Sequence, residues 1–366
     1  MSRTTTALVV PELNGKFELR EVHLDAIQPD EVLVEIHASG LCHTDLSCAT
    51  GVLPCAPNAV LGHEGASVPT PSSYTPVYPD QGNQPLFLIL PGAGIVLSTG
   101  SAVTHVAPGD KVLLSFSHCQ TCPPCLSGHP AYCHAFNDRN FGGRRPDGSS
   151  PFSSSSSNGK ETMFAPFFGQ SSFARHTLVH RSCAVRVPPE TSLDQLALYA
   201  PLGCGMQTGA GAVLNALRVT RGSSVAVFGV GSVGMAAVMA AARIAGAGVV
   251  VAVDLQDQRL ELAKRLGATH GVRVGKGEGS VVEEIRRICP PNGVDFAVDC
   301  TGVPAVIRDT IDCLGTKGRA ATVGAPGFGK CVSVDVMEHL TYGKEYVGCC
   351  EGDSLPAEVS SQFKRA

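Results

Sequence analysis

Four cysteines, Cys119, Cys122, Cys125 and Cys133, follow the spacing C-x2-C-x2-C-x7-C. Thiolates so spaced on one loop suit a single tetrahedral Zn2+ and leave it no open coordination position. A ferredoxin-type cluster would show a shorter gap before its last cysteine and a proline after it. Here seven residues intervene and His134 follows. A second set is spread along the chain: Cys42 in GLCHTD, His63 in GHEG and Cys204 in PLGCGMQTG. Two thiolates and an imidazole leave one position free, as a zinc that must take a substrate requires. Alone, each of these residues would read as packing. Their neighbours add chemistry. Asp45 can hold the second ring nitrogen of His63, Thr44 places a hydroxyl two residues from Cys42, and Glu64 adjoins His63.

Gly229, Gly231 and Gly234 stand as GVGSVG between the apolar run SVAVF and the helix-forming SVGMAAVMAAARIAG. In that context the first glycine makes a tight turn and the second lets backbone approach a pyrophosphate. The third packs helix on strand. The phosphate then meets free N–H groups at the helix N-terminus. Asp254 ends the run VVVAVD, 20 residues after Gly234. A carboxylate there accepts from ribose hydroxyls and repels a 2′-phosphate, which predicts NAD rather than NADP.

The elements that must position these groups change character along the chain. EVLVEIHASG (31–40) alternates apolar and polar residues and predicts a strand turning at Gly40. KVLLSFS (111–117) predicts another, entering the four-cysteine loop. PDGSSPFSSSSSNGK (146–160) reads as a mobile Ser/Gly/Pro loop. From about residue 195 short apolar runs alternate with helical patterns, the βαβ rhythm of a doubly wound parallel sheet. LDQLALYAPLGCGMQTGAGAVLNAL precedes it and reads as helix, glycine turn, helix.

Composition agrees with a folded protein of two domains. The chain has 366 residues, 43% hydrophobic and 16% charged, with a net charge of -4. No basic stripe points to nucleic acid or a membrane surface, and no run is apolar enough for a membrane span. MSRTTTALVVPELNG lacks the apolar core of a secretory signal, so a cytoplasmic location is expected. The 15 cysteines then stay reduced, the clustered ones as metal ligands and others, such as Cys349 and Cys350, as packing.

In order, GLCHTD, GHEG, the four-cysteine loop, PLGCGMQTGAG and GVGSVG resemble the zinc-dependent medium-chain alcohol dehydrogenases. Cys2His is already the established catalytic zinc set of alcohol dehydrogenases. The resemblance covers about residues 5–65 and 93–358, and FFGQSSFARHTLV (167–179) is most similar to the aryl- or benzyl-alcohol branch. It implies a β-rich, GroES-like catalytic domain over residues 1–205, with the structural zinc loop at 119–133, and a Rossmann NAD-binding domain over 206–366. It implies a catalytic zinc on Cys42, His63 and Cys204, and a structural zinc on Cys119, Cys122, Cys125 and Cys133. Thr44 would start the substrate proton outward, with Asp45 and Glu64 supporting the metal. His43 would lie near the pyrophosphate, Thr208 near the nicotinamide, and Asp254 on the adenosine ribose with Arg259 beside it. The implied reaction is oxidation of a primary alcohol, aromatic or allylic, to its aldehyde with NAD+. The implied partners are a small alcohol or aldehyde, with assembly as a homo-dimer or homo-tetramer.

The pattern breaks in three places. Many relatives carry a relay histidine where this chain has Ser47. Residues 67–91 interrupt GHEG and GAGIV and are expected to be an aberrant insertion, a translated intron. The chain stops soon after YVGCCEGDSLPAE, where Val359-Ser360 can be encoded by a splice-donor sequence, and part of the catalytic domain is expected to be missing. Two alternative readings follow. One is a catalytically impaired protein that still binds zinc and NAD, from a mis-spliced or truncated gene. The other is a relative acting on another alcohol or a hemithioacetal.

Overall fold

The structure, a computed structural model, describes residues 3–66, 94–156, 159–275 and 279–357. The expected insertion at 67–91 and the tail beyond 357 lie outside the described residues. The chain divides into two compact units. One comprises Met1–Leu126 and Cys133–Cys204, the other Ser127–Tyr132 and Gly205–Ala366.

The first unit is antiparallel. One sheet orders the strands Gly159–Thr162, Phe152–Ser156, Glu18–Leu24, Arg3–Val10 and Ala59–Val60. A second orders His176–His180, Glu31–Ile36, Gly94–Thr99, Lys111–Leu114 and Ala184–Arg186, and Ala38–Ser39 pairs with Gly65–Ala66 in a small third. The period of two puts Val32, Val34 and Ile36 on one face, where they are buried with Val96, Val112, Leu114 and Val179. Two expectations need correction. The strand entering the cysteine loop ends at Leu114, short of Ser117. There the backbone gains other partners: Ser115 N donates to Cys183 O at 3.0 Å, Ser117 N to Asn140 Oδ1 at 2.8 Å. The serine run expected as a loop is a strand, Phe152–Ser156, paired with Gly159–Thr162 and with His23 and Leu24. Backbone pairing, which composition does not report, overrides the polar side chains.

The second unit carries an all-parallel six-stranded sheet. Its order is His270–Arg273, Val249–Asp254, Ser224–Phe228, Val294–Asp299, Leu314–Thr322 and Glu345–Gly348. Numbered by sequence within this unit, that is 3-2-1-4-5-6, the doubly wound arrangement with its switch point between Ser224–Phe228 and Val294–Asp299. The central strands are buried on both faces, as their unbroken apolar runs require. The short helix Gly205–Gly211 lies against Ser232–Met239 so closely that a Cβ at Gly209 would strike the Val233 carbonyl. The segment 127–132 belongs to this unit through His129 Nδ1 on Asp353 Oδ1 at 2.7 Å and Tyr132 OH donating to Gly348 O at 3.3 Å. Among the described residues no helix is long and apolar enough to cross a membrane.

One buried ion pair locks the first unit. The Arg145 guanidinium forks onto Glu31, Nε to Oε1 at 2.7 Å and Nη2 to Oε2 at 2.9 Å, and reaches Asp25 at 2.8 Å. Both Arg145 and Glu31 are buried. Removing one partner strands the other's charge. We expect Arg145→Met to destabilise this unit by about 3–5 kcal/mol, seen as a lower urea midpoint of its unfolding transition; an unchanged midpoint would contradict the assignment.

Candidate active site

Cys42 is the N-cap of the helix His43–Ala49. Asp45, three residues on, completes a capping box: its Oδ2 accepts from Cys42 N at 3.1 Å. Its other oxygen accepts from Gly62 N at 2.9 Å and meets His63 Nδ1 at 3.0 Å. A carboxylate only accepts, so Nδ1 carries a proton toward it, and in the neutral ring Nε2 presents its lone pair. That Nε2 is buried and has no hydrogen-bond partner among the described residues. It faces Cys42 and Cys204: these ligand atoms and a Glu64 carboxylate oxygen all lie within 4.8 Å of one another.

The imidazole is held on other sides too. Phe168 stacks on it with ring centroids 4.5 Å apart, and Phe167 meets it edge-on at 5.5 Å. Gln170 Nε2 donates to His63 O at 2.7 Å. Glu64 takes the space that a side chain at Gly40 would need. A hydrogen bond from Cys204, outweighing burial, and the nearby imidazole hold the Cys42 thiol well below its ordinary range. Burial opposes charge on His63, but Asp45 and Cys42 outweigh it and raise its pKa well above the ordinary value. Thr44 Oγ1 lies 3.6 Å from Cys42 Sγ, and Ser47 is buried on the same helix. His43 is exposed at the helix start.

The other four cysteines converge as a closed set. Cys119 and Cys125 Sγ are 3.8 Å apart, Cys122 and Cys125 3.5 Å, Cys122 and Cys133 3.9 Å. Sulfurs at tetrahedral corners about 2.3 Å from zinc stand about 3.8 Å apart. Burial opposes ionisation of Cys119, yet donors from Thr121 and Cys122 bring its thiol down to about 5.

In the second unit the glycine fingerprint has three distinct geometries. Gly229 has φ 81°, a left-handed turn. A Cβ at Gly231 would point into open space, where a phosphate can approach. A Cβ at Gly234 would strike the Gly229 carbonyl. Asp254 is buried, its Oδ2 accepting from Val230 N at 3.0 Å and its Oδ1 from Gln256 N at 2.9 Å, with Arg259 Nη1 at 3.7 Å. The acid is thus tied to the phosphate turn and keeps lone pairs for a ribose. Thr208 lies on Gly205–Gly211 with its hydroxyl 3.5 Å from Glu351 Oε2. Sequence reasoning missed Phe168, Gln170 and Glu351. Only the run FFGQSS was visible for the first two, and nothing signalled the third.

Comparison with known proteins decides the family. A family profile described as zinc-binding dehydrogenase matches residues 232–365. One described as alcohol dehydrogenase GroES-like domain matches 28–68 and 73–189. The geraniol dehydrogenase of Castellaniella defragrans is 34% identical over 351 residues, 96% of this chain and 84% of that protein. The chain belongs to the zinc-dependent medium-chain alcohol dehydrogenases. It is therefore an oxidoreductase of a class that uses zinc and NAD. A benzyl alcohol dehydrogenase from Acinetobacter calcoaceticus superposes with TM-score 0.85 at 37% identity, covering 99% of this chain and 88% of that one. An alcohol dehydrogenase zinc-binding domain protein from Burkholderia ambifaria superposes with TM-score 0.86 at 41% identity, covering 100% and 89%.

The role of Asp45 is open to test. Losing the partner of a metal-bound imidazole costs about 10–100-fold in metal affinity. We expect Asp45→Asn, dialysed against a chelator, to keep zinc on the four cysteines and lose the other zinc. Atomic absorption would read about one zinc per chain instead of about two; undiminished zinc would sink the assignment.

Proposed function

We propose that this chain interconverts a primary aromatic or allylic alcohol and its aldehyde, with NAD as hydride partner and zinc on Cys42, His63 and Cys204. The observation that carries the reading is the convergence of the buried His63 Nε2 with the thiols of Cys42 and Cys204 and the Glu64 carboxylate, all within 4.8 Å of one another. Its donor set fits zinc, with a position left for substrate. When bound, zinc supplies Lewis acidity and NAD+ accepts the hydride.

The chain's own residues do the rest. Asp45 holds the Nδ1 proton of His63 and so keeps Nε2 available as a ligand atom. Thr44 Oγ1, two residues from Cys42, accepts the proton of the substrate hydroxyl and passes it outward. Beyond Thr44 stands Ser47; a hydroxyl is a poor base near neutrality, so the proton leaves through water. Gly231 would leave room for a pyrophosphate, and Asp254 would accept from the adenosine ribose while its charge would repel a 2′-phosphate. His43 and Arg259 are further candidates for the cofactor's phosphate and ribose. Cys119, Cys122, Cys125 and Cys133 would hold a structural zinc.

The aromatic or allylic preference draws on the benzyl alcohol and geraniol dehydrogenases that this chain resembles. The test is a steady-state assay with benzyl alcohol and geraniol, without added thiol. We expect NAD+-dependent turnover of both, and a kcat/KM for NADP+ lower by about 100-fold or more, the size of a strong charge clash. Turnover that needs a glutathione–formaldehyde adduct would move the substrate to a hemithioacetal. Tight NADH and zinc binding without any turnover would establish the impaired reading. Asp254→Ser should raise KM for NAD+ and narrow the gap to NADP+; an unchanged gap would remove Asp254 from cofactor choice.

A further inference from the structure

The turn Glu351–Asp353 follows the edge strand Glu345–Gly348. All three of its residues have positive φ: 47° at Glu351, 70° at Gly352 and 47° at Asp353. Two non-glycine residues in that region are strained, and such strain persists only where surrounding contacts over-determine it. The contacts are present. Asn215 Nδ2 donates to the carbonyls of Gly352 and Asp353, each at 3.1 Å. His129 holds the Asp353 carboxylate. A Cβ at Gly352 would strike Gln207 O, and one at Gly211 would strike Gly352 O, so turn and helix Gly205–Gly211 touch backbone to backbone. The result is a carboxylate set on that helix: Glu351 Oε2 accepts from Gln207 Nε2 at 3.3 Å and from Thr208 Oγ1 at 3.5 Å.

The sheet says which end of a dinucleotide this carboxylate meets. Asp254 and the glycine turn lie at the carboxyl ends of Val249–Asp254 and Ser224–Phe228, which take the adenosine half and the pyrophosphate. The second nucleoside of a doubly wound site falls across the switch point, at the carboxyl ends of Val294–Asp299, Leu314–Thr322 and Glu345–Gly348. Glu351 is three residues past the last of these. In a nicotinamide dinucleotide that half carries a cationic ring when oxidised and a neutral ring when reduced.

We propose that Glu351 makes the nicotinamide half of this site discriminate oxidised from reduced cofactor, its carboxylate favouring the cationic ring. The inference rests on the dinucleotide reading above and adds a specificity-determining residue to it. Attraction holds NAD+ before hydride transfer and vanishes once the ring is neutral, which speeds NADH release, a step that limits turnover in many enzymes.

The experiment measures Kd for NAD+ and for NADH on the full chain, in the same buffer, by calorimetry and by NADH fluorescence. For Glu351→Gln we expect Kd for NAD+ to rise about tenfold and Kd for NADH to stay within about twofold, as loss of one charge interaction near a partly screened ring predicts. Retained NADH binding also shows that the variant is folded. Glu351→Asp keeps the charge and should recover most of the NAD+ preference. If both cofactors weaken together, the residue is only structural and the proposal falls. It falls equally if the ratio is unchanged in Glu351→Gln, or if Glu351→Asp behaves as Glu351→Gln does. A wild-type chain that binds neither cofactor overturns the dinucleotide reading itself, and this proposal with it.

Discussion

The candidate site of the first unit depends on one buried carboxylate. Asp45 accepts from Cys42 N, Gly62 N and His63 Nδ1 at once. Burying a carboxylate is costly unless donors surround it, and here three do. Those donors lie on two separate segments, the start of the helix His43–Ala49 and the turn before His63. Satisfying the charge therefore fixes the distance between them, chooses the tautomer of His63, and turns Cys42 Sγ and His63 Nε2 toward one point. Cys204 joins after a long return of the chain, where Ser115 Oγ donates to the carbonyl of its neighbour Gly203 at 2.7 Å.

The second unit rests on close backbone approach. Gly209, Gly211, Gly234 and Gly352 each sit where a side chain would meet a carbonyl. These contacts pack helix Gly205–Gly211 against the fingerprint helix Ser232–Met239 and against the turn after the last strand. Around these close-packed backbones stand the side chains proposed to meet the cofactor, Asp254 on the fingerprint turn and Thr208 beside Glu351. Strain at Glu351 and Asp353 is held in place by the packing around it.

Much of this was legible in the chain because metal and phosphate chemistry is local and particular about residue type. The four-cysteine spacing, the fingerprint with Asp254, and the trio Cys42, His63, Cys204 each carry their chemistry in their atoms. So does the βαβ rhythm, since a helix on a parallel strand must bury a stripe of fixed period. What local pattern misjudged was pairing. A serine run took a place in a sheet because the strand Glu18–Leu24 offered it partners, and KVLLSFS ended early because Asn140 and Cys183 claimed its backbone.

By itself the sequence determined which chemical groups exist and which of them are spaced to share a metal or a phosphate. It also determined which stretches must be strand or helix to hide their apolar faces. Only the tertiary structure decided which distant residues meet. Phe168 on His63, Gln170 on the His63 carbonyl, Arg145 on Glu31 and Glu351 on Thr208 join positions far apart in the chain. The physical reason is that such contacts are selected by the closing of the whole fold. Burying a charge, an imidazole or a carbonyl demands a partner, and the partner is whichever group the packed backbone brings within reach.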